Sequence, residues 1–229
     1  MSTYLWINLL SISVPLLVSF HPRVRLYKKW NILWIAIILA LIPYIIWDVY
    51  FTEKGFWGFT DAYLIGVEIL GLPIEEWLFF ICIPYACMFT HYALLDLNSK
   101  RMLKAKSVKY LTVVLLLLFA INAVVNYQLA YTLIDMAFAF AILLLAYLSN
   151  KTLLKSYYLT FIVMLIPFII VNGVLTGTGI ENEVVWYNDL ENLGMRFFTI
   201  PVEDFAYAFS LILLNLLIFE RLVKRFTIR

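Results

Sequence analysis

The sequence predicts an all-α polytopic membrane protein with about seven transmembrane helices, built as two parallel three-helix repeats joined by a bridging helix. Three observations carry this. Of the 229 residues, 64% are hydrophobic and only 14% charged, which is the composition of a membrane-spanning chain. The apolar residues gather into seven stretches, each near the roughly 20 residues that cross a bilayer as a helix. Finally, a shift of 128 residues brings Asp61 onto Asp189, Gly66 onto Gly194, Pro73 onto Pro201, Glu75 onto Glu203 and Glu76 onto Asp204. Apolar composition alone does not produce coincidences at polar and backbone-special residues.

The seven stretches are residues 4–20, 30–47, 74–95, 110–125, 129–148, 158–175 and 202–219. The fourth is short. No basic segment precedes the first, and no small-residue cleavage site follows it, so it is expected to stay as a span and not to be removed as a signal. Basic residues alternate loop by loop. Arg23, Arg25, Lys28 and Lys29 follow the first stretch, and Lys100, Arg101, Lys104, Lys106 and Lys109 follow the third. Lys151 and Lys155 lie between the fifth and sixth, and Arg221, Lys224, Arg225 and Arg229 follow the seventh, whereas the other connections hold only Lys54 and Arg196. Positive residues stay on the cytoplasmic side, so the N-terminus is expected outside and the C-terminus inside the cell (inner or plasma) membrane. Trp6, Trp30, Trp47 and Trp57 sit near span ends, where aromatic belts form. The expected units are residues 1–100 and 129–229, with 101–128 as the bridge.

The acids show the opposite bias. Asp48, Glu53, Asp61, Glu68, Glu75 and Glu76 cluster at the outer end of the second and third spans. Glu181, Glu183, Asp189, Glu191, Glu203 and Asp204 do so at the sixth and seventh, with Asp135 early in the fifth. Asn122 and Asn172 fall in the same half. A polar site is therefore expected in the outer half of the membrane. The long connections before the third and seventh spans have an amphipathic flavour and are expected to form short interfacial helices over the span mouths. Irregular backbone at that depth needs partners, and the carboxylates can supply some of them.

The third span opens as Pro73-Ile74-Glu75-Glu76-Trp77 and the seventh as Pro201-Val202-Glu203-Asp204-Phe205. Proline suits the first turn of a helix, where a missing N–H costs nothing, and acids there complement the helix dipole. Two copies at one spacing argue for more than capping, because ionisable groups in a span are costly and functional by default. Helical spacing sets Glu76 beside Phe79 and Phe80, Glu203 beside Tyr207, and Asp204 beside Tyr207 and Ala208. Several carboxyls in one site divide their protons into acids and bases, and aromatic faces stabilise cations without trapping them. The combination suits carbocation chemistry on a hydrocarbon.

Other classes fit less well. The net charge of +2 supports no nucleic-acid partner. His21 and His91 form no ligand cluster with Cys82 and Cys87, which read as packing residues, so no metal is expected. There is no GxGxxG, Walker loop or CxxC. A seven-helix retinal protein needs a lysine in its last span, and residues 202–219 have none. A prenyltransferase needs paired Asp-rich Mg²⁺ motifs, for which Asp61 and Asn188-Asp189 are too sparse. A proton-coupled transporter or a non-catalytic membrane assembly protein stays as the alternative, since either uses intramembrane acids.

The duplicated P-x-E-[ED]-aromatic motif on two three-helix units resembles the membrane lycopene cyclases, whose units occur as two chains or fused in one. The resemblance is to the fused form and covers essentially the whole chain. It implies redox-neutral closure of an acyclic carotenoid end group: protonation at C2, attack of C5=C6 on the C1 cation, and loss of the C6 proton to give a β-ring. It implies Glu75 and Glu203 as the proton-handling pair, with Glu76 and Asp204 tuning them or sharing the role. Phe79, Phe80, Tyr207 and Trp77 would face the substrate, and Asp61, Asp189, Asp48 and Asp135 would support the site. No cofactor is implied, flavin included. The substrate would enter from the lipid phase, and other carotenoid-pathway enzymes are possible partners. Some members act on longer carotenoids.

Overall fold

The computed structural model describes residues 2–97 and 102–227. Lys100, Arg101 and Arg229, counted above among the basic residues, lie outside them. Seven α-helices account for most of the described chain: α1 (Thr3–Val18), α2 (Trp30–Lys54), α3 (Ile74–Leu97), α4 (Ala105–Val125), α5 (Ala130–Ser149), α6 (Lys151–Leu175) and α7 (Glu203–Thr227). Six are long and apolar enough to cross a membrane. The exception, α1, has 16 residues, about 24 Å at 1.5 Å per residue; it packs along α3.

Helix edges follow local chemistry. Ser2 caps α1, its Oγ accepting from Leu5 N at 3.1 Å. α6 begins seven residues before the expected 158, because Asn150 caps it, with Oδ1 accepting from Leu153 N at 3.3 Å. Lys151 and Lys155 therefore stand in its first turns and not in a loop. α4 likewise starts earlier than expected, at Ala105. Its outer face, with Leu117, Ile121 and Val124, is exposed, as a lipid-facing surface must be. α7 is the central helix. Every residue from Phe209 to Leu217 is buried, as expected of a helix apolar all round.

The two long connections are not interfacial helices. Each ends in a small hairpin: β2 (Glu68–Ile69) with β3 (Leu72–Pro73), and β5 (Arg196–Phe197) with β6 (Ile200–Pro201). The only helical piece between α2 and α3 is one 3₁₀ turn, Asp61–Tyr63. Gly66, Gly71 and Gly194 adopt positive φ (88°, 76° and 64°), which ends any helix there. Instead the connections pair with each other. β1 (Trp57–Phe59) runs antiparallel to β4 (Val185–Tyr187), which satisfies backbone groups of both.

That pairing carries a local dyad. Gly58 faces Trp186, which lies 128 residues further on. The bond Thr60 N→Val184 O, 2.9 Å, becomes Asn188 N→Phe56 O, 2.9 Å, under the same shift. A Cβ on Gly58 would collide with the indole of Trp186, so the axis needs a glycine. Trp47 and Trp57, expected in belts, are instead only 7% and 6% exposed. They pack on Phe51, Tyr131 and Tyr207 at the inner side of the lid that the two paired connections form.

Candidate active site

A cavity of about 340 Å³ lies under the lid between α1, α3, α6 and α7. Such a volume takes a small organic ligand or one end of a long one. Its walls are apolar, with Phe79, Ile83, Phe161, Met164, Phe168 and Leu211 among them, and its ionisable head consists of Asp48, Glu76 and Asp204. Along α3 the lining runs from Glu76 to Thr90, about 21 Å of helix. The acids therefore close one end of an elongated slot.

The head is assembled twice from matching parts. On one side Tyr4 of α1 donates its hydroxyl to Glu76 Oε2. Asp48 of α2 faces the same carboxyl, and Asp48 Oδ1 accepts from Trp57 Nε1 at 2.7 Å and Thr52 Oγ1 at 3.5 Å. On the other side Asp204 accepts from Tyr131 OH of α5 at 2.5 Å, Asn172 Nδ2 of α6 at 2.6 Å and Tyr187 OH of β4 at 3.0 Å. Trp57 and Tyr187 are cross-strand partners, so the lid delivers one donor to each acid. Burial, and then the Asp204 charge beside it, push the Tyr187 phenol well above its ordinary range, which keeps it a donor.

The sequence-predicted residues divide. Glu76 and Asp204 line the cavity with Asp48, Phe79 and Tyr207. Glu75 and Glu203 do not. Each is fully buried and turned to its own lid: Glu75 Oε1 accepts from Ile65 N at 2.7 Å, and Glu203 Oε1 from Leu193 N at 2.8 Å and Thr132 Oγ1 at 2.6 Å. Ile65 and Leu193 are also 128 apart. The expected leading pair thus holds backbone, and the expected tuning pair faces the open space. In the first turn of a helix, adjacent residues point about 100° apart, so only one of each acid pair can face inward. Phe80 packs in the core against Tyr44, and Trp77 Nε1 donates to Ile69 O at 3.1 Å outside the cavity. Asp135 is buried near Glu203 and Asp204 but is not part of the lining of this cavity. Asp61 is exposed, and Asp189 pairs at the surface with Arg196 at 2.6 Å.

Sequence reading gave Tyr4, Tyr131 and Tyr187 no role, and gave Trp57 and Asn172 no role at a site. A signal for several exists. Tyr4 and Tyr131 are 127 apart, and a shift of 124 brings Pro43, Asp48 and Thr52 onto Pro167, Asn172 and Thr176. The second lid is four residues longer, which hides this register from a single fixed shift.

Only one of the two symmetry-related spaces is open. Ser11, Val171 and Ala208 line the cavity. Their counterparts under these shifts are Phe138, Trp47 and Phe80, large rings that fill the space between α2, α3, α5 and α7. Tyr44 sits among them, 5.2 Å from Phe138 and 5.1 Å from Tyr207 by ring centroid, with its hydroxyl 2.8 Å from Ser210 Oγ.

Fold and site define a multi-pass helical membrane protein with two carboxyl groups of duplicated origin at the head of one apolar cavity. A family model described as lycopene cyclase matches residues 1–94 and 128–222. The chain belongs to the lycopene cyclase family and is a carotenoid cyclase. Neither the curated proteins nor the solved structures gave a significant match.

Proposed function

We propose that the chain is a lycopene β-cyclase, an isomerase of the intramolecular-lyase type that turns the acyclic ends of lycopene into the β-rings of β-carotene. The observation that carries this reading is the placing of Glu76 and Asp204 at the head of one apolar slot. The reaction needs one proton delivered and one removed within a site that offers no water to the cation. Carboxyls can do both. Tyr207, Phe79 and Trp57 supply aromatic faces for the cationic stages. Cys87 and Thr90 lie about 16 Å or more along α3 from Glu76, the hydroxyl of Ser11 is tied to Ile7 O at 2.7 Å, and those of Tyr4, Tyr131 and Tyr187 are engaged with the carboxyls of the head. Glu75 and Glu203 hold the lid in this reading, and Asp61 and Asp189 belong to its outer surface.

In this reading the unit 1–100 contributes Asp48 and Glu76 and the unit 129–229 contributes Asp204, with 101–128 as the bridge. By the positive-inside rule the lid and N-terminus face outward and the C-terminus lies in the cytoplasm, in the cell membrane. The substrate comes from lipid, and other enzymes of carotenoid synthesis are natural neighbours. The test is pigment analysis of a lycopene-accumulating bacterial host given this one chain. A new pigment of unchanged mass with a blue-shifted spectrum is expected. Unchanged lycopene beside correctly inserted protein would overturn lycopene as the substrate, and a longer carotenoid would be tried next.

A further inference from the structure

The two heads of the cavity share a plan but not a chemistry. Asp204 receives three hydrogen bonds, from Asn172 at 2.6 Å, Tyr131 at 2.5 Å and Tyr187 at 3.0 Å. Three donors on one carboxyl satisfy an ionised group. Of its nearby acids, Glu203 and Asp135 do not line the cavity. At the position equivalent to Asn172, the other head has a carboxyl, Asp48. Asp48 is 1% exposed, and its Oδ2 has no donor among the described residues. The group facing it is the carboxyl of Glu76. Two carboxyls can bond to each other only through a shared proton. An amide in place of an acid therefore separates a head that is complete without a proton from one that requires it.

We propose that the two heads have opposite tasks: Glu76, sharing a proton with Asp48, protonates the carotenoid end group, and Asp204 takes the proton released on ring closure. This rests on the cyclase reading. Glu76 gives its O–H proton to C2, leaving a cation at C1. The π pair of C5=C6 forms the C1–C6 bond and leaves a cation at C5. The C6–H pair becomes the new C5=C6 bond, and its proton goes to Asp204. One proton enters and one leaves, with no change of oxidation state, and both heads exchange with solvent between turnovers. Asp48 and Asn172 act through their neighbours as positioning residues.

The experiment compares the amount and the isomer of the rings made in the lycopene-accumulating host. Donor-side variants, Glu76→Gln and Asp48→Asn, are expected to lower total ring formation while every ring still made is β. For Glu76→Gln the loss is about 10²–10⁴-fold, the worth of a positioned acid. Acceptor-side variants, Asp204→Asn and Asn172→Leu, still form the cation, which then loses a proton from a carbon next to C5 other than C6 to the carboxylate that Glu76 has become. Their expected mark is a new fraction of rings with the double bond elsewhere, and Asp204→Glu, which keeps a carboxylate, restores the β share. A shifted isomer ratio in the donor-side variants would overturn the assignment. So would acceptor-side variants that lose conversion with the ratio unchanged. If Asp204→Asn fails to accumulate, the isomer ratio of Asn172→Leu decides. A parent chain that makes no ring at all would instead defeat the cyclase reading itself.

Discussion

At the scale of residues, Glu75 and Glu76 are neighbours with different work. Glu75 accepts the Ile65 N–H of its lid at 2.7 Å, and Glu76 faces the cavity. Removing the first should therefore harm the fold more than the chemistry. Glu75→Gln keeps an acceptor for Ile65 and is expected to retain most of the turnover. Glu75→Ala leaves a buried N–H without a partner and should cost about 1–3 kcal/mol, read as a fall in thermal midpoint in detergent. A complete loss of turnover in well-inserted Glu75→Gln would show that this carboxyl handles protons after all. The duplicated acids and their spacing were legible in the sequence. Which member of each pair faces inward was not, because that depends on where the helix is rotated by its neighbours. Asn8, whose Nδ2 donates to Glu75 O at 2.8 Å from α1, is one of the contacts that fix that rotation.

At the scale of elements, the lid is the part least like its sequence expectation. Amphipathic patterning suggested interfacial helices, yet the two connections form hairpins and pair across the dyad. The competing influence is backbone hydrogen bonding: two extended segments near the membrane surface satisfy each other's N–H and C=O groups, which neither can do alone. Gly58 is the test. A side chain there must displace Trp186, so Gly58→Val is expected to part β1 from β4 and release Trp57 and Tyr187 from the acids they serve. The readouts are faster proteolysis of the lid from the outer face and a drop in cyclisation. Unchanged protease resistance and turnover would mean that the strand pair is dispensable. Helix packing offers a second test. Ala208→Phe places in the open slot the ring that Phe80 supplies on the closed side. It should abolish turnover while costing no more than about 2 kcal/mol of stability, the typical cost of overpacking, read from the thermal midpoint in detergent.

At the scale of the whole molecule, one cavity is built from both halves: α1 and α3 come from the first, α6 and α7 from the second. Neither half should act alone. Expressed separately as residues 1–100 and 101–229, the pieces are expected to restore pigment conversion only when both are present. Conversion by either piece alone would place a complete site within one half. The size asymmetry also bears on mechanism. With Phe138, Trp47 and Phe80 where the other side has Ser11, Val171 and Ala208, the molecule is expected to process one end group at a time. A two-ring product then requires the chain to be released or turned between closures, and a one-ring intermediate should build up early in a time course.

By itself the sequence determined the class of the molecule: composition marked it as membrane-spanning, the apolar stretches marked its seven helices, and the 128-residue shift related the acid pairs at two span mouths. These are properties of single segments, readable because a helix in lipid must satisfy its own backbone and show an apolar surface. Only the tertiary structure decided which acid of each pair meets the cavity, that the lids pair across a dyad, and that one of two related spaces stays open. Each of those depends on packing between segments far apart in the chain. The identity of Asp48 against Asn172, or Ser11 against Phe138, acquires meaning only once the fold sets the two copies around one axis.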